Sequence, residues 1–116
     1  MEIYLKTSEK SIGLRMSVRT IRDMKTERGI DVLGDSESVQ KNVLEFYHAV
    51  IYYSAINFCK KKKQEPDFDE DDVWDWIDDV GLASKQLTDV IEAFNESITK
   101  DVPKEKTKKK TMKAEK

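Results

Sequence analysis

Residues 43–59, VLEFYHAVIYYSAINFC, are the most hydrophobic stretch of the chain and constrain its fold more than any other segment. At helical spacing Val39, Val43, Phe46, Tyr47, Val50, Ile51, Ser54 and Phe58 form one stripe. Leu44, Tyr53, Ala55 and Ile56 carry apolar character past its edges. A helix that is apolar on more than one face has to be covered on more than one face. The sequence therefore predicts a helix from about 37 to 61 at the centre of the fold. Glu45, His48 and Asn57 interrupt the stretch, and its clean runs fall short of the roughly 20 residues that cross a bilayer. The lysines at 60–63 resemble a cytoplasmic flank, which keeps a membrane anchor as the lesser reading.

The flanking segments supply the cover. EIYLK at 2–6 alternates weakly and is expected as a short strand, and 7–13 reads as a loop. Leu14, Val18, Ile21 and Met24 fit a helix from about Leu14 to Arg28, closed by Gly29 with Ile30 as apolar follower. Ser36 or Ser38 is expected to cap the long helix, and Pro66 to break the chain after it. A last helix from the Ser84 cap to about Lys100 sets Leu87, Val90, Ile91, Phe94 and Ile98 on one face. The expected fold is mainly α: a four-helix compact domain over 1–100, with a short N-terminal strand. The remainder, 101–116, reads as a disordered basic tail, because 104–116 holds seven lysines, two glutamates and Met112 as its one large apolar residue.

The acidic stretch 67–81, DFDEDDVWDWIDDVG, admits two readings. Asp67, Asp69, Asp71, Asp75 and Asp78 occupy oxygen-ligand positions of a calcium loop. However, Asp72 stands where such a loop turns on glycine, and the short Asp78 stands where it uses Glu. Val73, Trp76, Ile77 and Val80 instead mark one face of a helix. Its first turn is rich in acid, as the helix dipole favours, and Gly81 and Leu82 are placed to close it. The helix is preferred, and no metal or cofactor is expected.

Catalysis has little to draw on. His48 and Cys59, the single His and Cys, are 11 residues apart on one helix, about 16 Å along its axis. They cannot make a nucleophile–base pair. The four glycines are scattered, so no phosphate loop exists. An enzyme is not expected. One cysteine excludes an internal disulfide, and MEIYLKTSEK lacks the apolar core of a secretory leader, so a cytosolic protein is expected. A net charge of −2 argues against wholesale nucleic-acid binding, although the charge is unevenly placed. Trp74 falls off the apolar stripe among aspartates, which suits either a partner anchor or packing under the 60–66 linker.

The order of these signals resembles that of the tail assembly chaperones of long-tailed bacteriophages and prophages. The matching stretches are 27-ERGIDVL-33, 68-FDEDDVWDWIDDVG-81 and 87-LTDVIEAFNESI-98, within a resemblance that covers roughly residues 2–100. The small "AG" of the family's long helix is replaced here by 52-YYSA-55. The resemblance implies a holdase for the tape measure protein that also helps recruit tail tube subunits. It implies action in the cytoplasm of the bacterial host and absence from the mature virion. In many members a programmed frameshift makes a longer product, and Lys108, Lys109 and Lys110 mark a candidate place.

Such a holdase needs apolar grooves for amphipathic helices. The residues expected to bear them are Phe46, Tyr47, Val50, Ile51, Tyr53, Trp74 and Trp76. The apolar excess of the long helix also predicts a homo-oligomer. Two other readings stand beside this one. The first is a small helical DNA-binding regulator using the tail and the basic residues of 14–28. The second is a structural head–tail connector.

Overall fold

The computed structural model describes residues 2–34 and 36–101, with side chains for all of these except 36, 38 and 99–101. Two strands and five helices follow one another: β1 (Glu2–Lys6), β2 (Ser11–Arg15), α1 (Val18–Arg28), α2 (Ser36–Lys41), α3 (Val43–Lys62), α4 (Glu70–Val80) and α5 (Lys85–Asp101). The protein is mainly helical, with a small N-terminal sheet. Apart from Asp101, the expected tail lies outside the described residues, as do Lys108, Lys109 and Lys110.

α3 is central, and the hairpin, α1, α4 and α5 all pack on it. Ala49, Val50 and Ile51 along its middle are wholly covered. Around them the core takes Leu5 and Leu14 from the hairpin, Met24 from α1, Val73 from α4, and Leu87, Val90 and Phe94 from α5. Each such side chain stabilises the fold by about 1.5–3 kcal/mol relative to exposure. Among the described residues no helix is long and apolar enough to cross a membrane.

The largest departure from expectation is at 7–17. Ser11–Arg15 is a second strand, antiparallel to β1 with Tyr4 opposite Gly13 and Leu5 opposite Ile12. Ile12, Leu14 and Met16 alternate inward and are buried. That period of two competes with the helical reading of Leu14 and Val18 and wins through strand pairing. Helix α1 starts only at Val18, which is 62% exposed, behind a Ser17 cap whose side chain accepts from the Thr20 amide. Its far end is as expected. Gly29 is left-handed at φ 70°, and the Gly29 and Ile30 amides donate to the Lys25 and Met24 carbonyls at 2.9 and 3.2 Å.

The helix expected over 37–61 is broken at Asn42, whose φ −135° and ψ 68° are not helical. The cap expected from Ser36 or Ser38 falls on side chains outside the described set. The acidic stretch folds as the helix α4. Asp69 accepts from the Asp72 amide, and Asp72 accepts from the Asp69 amide, so the two close a capping box. Gly81 does not adopt the expected left-handed cap: its φ is 94° with ψ 132°. Leu82 stays 51% exposed instead of packing behind it. Ser84 does cap α5, accepting from the Leu87 amide at 3.1 Å.

Two contacts fix the hairpin. The Gln86 amide takes both backbone groups of Lys6, accepting from its N–H and donating to its carbonyl at 2.8 Å. On the other side, Gly13 lies directly under Phe58, where a Cβ would come within 2.4 Å of the ring. Tyr4 meets that ring edge-on, with centroids 5.7 Å apart. Replacing Gly13 with Ala is expected to cost about 1–3 kcal/mol by overpacking. That is a fall of roughly 4–8 °C in Tm per kcal/mol. Thermal melts check it, and Phe58→Leu added to Gly13→Ala is expected to recover part of the loss.

Candidate functional site

The sequence-expected partner residues divide in the fold. Phe46, Val50, Ile51, Tyr53 and Trp76 are in the core, at 7% exposure or less. Tyr47 and Trp74 are half-buried at its margin. Trp74 belongs to an aromatic ladder that joins α3 to α4, while Tyr47 meets the Phe46 ring at 6.0 Å. Trp74 stacks on His48 with centroids 4.2 Å apart and planes 26° apart. His48 continues to Tyr52 at 6.1 Å, Tyr52 meets Phe68 edge-on at 6.2 Å, and Phe68 lies 5.2 Å from Trp76. Trp74, off the apolar stripe in sequence, is thus held by an imidazole face.

Arg28, the last residue of α1, ties the ladder to the rest. Its guanidinium reaches Glu45 Oε1 at 3.2 Å and Glu70 Oε2 at 3.3 Å. It also lies over the Tyr53 ring at 5.3 Å. The same group approaches His48 Nδ1 at 3.2 Å, while His48 Nε2 is 2.8 Å from the Glu70 carbonyl. Both partners are satisfied when Nε2 carries the hydrogen and Nδ1 accepts. His48 is 1% exposed and acts as a structural bracket between α1 and α4. Burial is the main cause that pushes the Tyr53 phenol above its ordinary range, against the opposing charge of Arg28. Single-residue patterning gave Arg28 no special weight. Its signal was the GID turn at Gly29–Asp31, which aims the end of α1 at α3.

Cys59 is not part of this cluster. Burial, followed by the charge of Asp67, pushes its thiol up. Asp31 is held below the usual carboxylate range, chiefly by the Gly34 amide at 2.9 Å. Its contribution to the 31–34 turn is therefore present above the ordinary Asp pKa and lost as pH falls through the lowered one. Among the described residues no group of three or more His, Cys, Asp or Glu could hold a metal ion.

The exposed large apolar residues lie outside the predicted set. Leu33, Val43 and Leu44 are 54%, 44% and 51% exposed, with Val39 and Tyr47 half-buried beside the α2–α3 break. Asn42 separates α2 from the first turn of α3, which carries Val43 and Leu44. The sequence signal was present as the widening of the apolar stripe at Leu44, which was read as cover for a core. Comparison of the chain with protein-family models, curated proteins and solved structures finds no match.

Arg28→Met leaves His48 Nδ1 buried without a donor and two carboxylates unpaired. It is expected to cost about 1–3 kcal/mol in urea unfolding. Lys85→Met, which breaks the exposed Lys85–Asp89 pair, is expected to cost no more than about 0.5 kcal/mol. Alkylation of Cys59 by iodoacetamide is expected to be slow at pH 8 and to accelerate only above the ordinary thiol range, read as a pH–rate profile.

Proposed function

We propose that this chain is a tail assembly chaperone of a long-tailed bacteriophage or prophage. In this reading it holds the tape measure protein in solution and helps bring tail tube subunits to it. It works in the host cytoplasm without chemistry or a cofactor, and is left behind when the virion is complete. The three sequence stretches that resemble the family motivate the reading. The observation that carries it is the exposed apolar surface of Val43 and Leu44 in the first turn of α3, just after the α2–α3 break. A holdase needs accessible apolar surface to meet the apolar face of a client helix, and a charged exterior to keep the complex soluble. This chain is 38% charged. Tyr47 and Trp74 are half-buried, and the buried Phe46, Val50, Ile51, Tyr53 and Trp76 support α3 and α4 from the core.

Co-expression with the longest helical protein encoded nearby tests this. The wild type is expected to keep that client soluble and to co-elute with it on a sizing column. The double variant Val43→Asp/Leu44→Asp is expected to keep its Tm within a few degrees, since exposed positions contribute about ±0.5 kcal/mol. It is expected to lose client capture by at least about 30-fold, the scale of a hot-spot anchor. A client that precipitates beside a soluble wild-type chain would sink the reading. Detection of the chain in purified particles would move it to the structural connectors.

A further inference from the structure

A second surface carries charge of one sign. Between the start of α1 and the end of α3 lies an open groove of about 700 Å³, lined by Arg15, Arg19, Lys60, Lys61 and Lys63 and by no carboxylate. Arg15 is paired with Glu2 at 3.3 Å. Among the described residues, Arg19, Lys60, Lys61 and Lys63 form no ion pair.

The lysines have a local explanation, since cations at the end of α3 complement its dipole. Arg15 has its pair with Glu2, but Arg19 has no such explanation. Arg19 stands in the first turn of α1, which holds no acid, where the dipole favours negative charge. The first amides of that helix, at Val18 and Arg19, have no intrahelical acceptor. The α1 end thus presents amide donors and Arg19, and the α3 end presents lysine ammonium groups, to one space. Asn57 lines the same groove at 3% exposure. Its Nδ2 donates to the Tyr53 carbonyl at 2.8 Å, to Thr20 Oγ1 at 3.2 Å and, at 3.5 Å, to Asp23 Oδ2, while its buried Oδ1 receives no hydrogen bond.

We propose that this groove binds the phosphate backbone of a nucleic acid. Phosphate contacts need cations and amide donors and carry most of the affinity for a polyanion. A protein partner would need a desolvated aromatic or large apolar anchor, and the groove offers only the small, exposed Val18 beside the buried Met16. No aromatic ring lines it, so bases do not stack there and binding does not depend on sequence. The net charge of −2 conceals the site, because the acids that balance these cations are concentrated on α4, from Asp69 to Asp79. The proposal stands apart from the chaperone reading, which uses the α2–α3 break.

Fluorescence anisotropy of the full chain with labelled single-stranded RNA and DNA of one sequence tests it. Binding is expected to weaken with salt, with a log–log slope of about −3 for four phosphate contacts. Arg19→Gln/Lys61→Gln is expected to halve that slope and to lower affinity at least about tenfold at low salt. Lys85→Gln is expected to change neither. All of these proteins carry the seven lysines beyond α5, so the difference isolates the groove, and matching circular dichroism melts show that the fold is intact. Binding of either RNA or DNA with that slope supports the proposal, since phosphate contacts are common to both. Absence of salt-dependent binding, an affinity unchanged in the double variant, or equal competition by poly-glutamate overturns it.

Discussion

Every other element is arranged by the need to cover α3. That helix runs twenty residues with apolar side chains on most of its circumference, and such a helix is stable only inside other structure. A hairpin, α1, α4 and α5 divide the task. The price is steric, and it is felt at Gly13, where the strand backbone passes directly beneath a ring of α3. Where the cover stops, at the first turn of α3, apolar side chains face solvent.

The elements that could be read from sequence were those set by local chemistry. The Ser84 cap and the Gly29 turn act within a few residues of themselves, and both were legible. The Asp69 capping box is just as local, but in the sequence its acids were read only as complements of the helix dipole. The elements misread were those decided by distant partners. Ser11–Arg15 has a helical pattern on one side and a strand pattern on the other, and its pairing with β1 is what selects the strand. The break at Asn42 likewise has no proline or glycine to announce it. Burial was read well and exposure poorly. Apolar residues of α3 were identified as a group, but which of them lack cover depends on where α2 turns away, and periodicity carries no such information.

Charge shows the same division. Composition reports near balance, with 21 basic and 23 acidic residues. The fold separates them, placing acids along α4 and cations where α1 begins and α3 ends. Elsewhere the two signs pair, and Arg28 pairs twice. It brings opposite charges together at a half-buried junction, and it joins three helices through carboxylates, an imidazole and a tyrosine ring. A surface that separates charge in this way interacts with ions and polyelectrolytes through its local fields rather than through its net charge.

The clamp of Gln86 on Lys6 has a consequence for the order of events during synthesis. The first strand is made well before α5, yet both backbone groups of Lys6 find their partner 80 residues later. Until α5 has left the ribosome, the free edge of the hairpin stays open to any other extended chain. The domain therefore finishes folding after its last helix is made, through contacts of long sequence separation that form slowly. A truncated nascent chain ending before Gln86 exposes a sticky strand edge that the finished protein keeps closed.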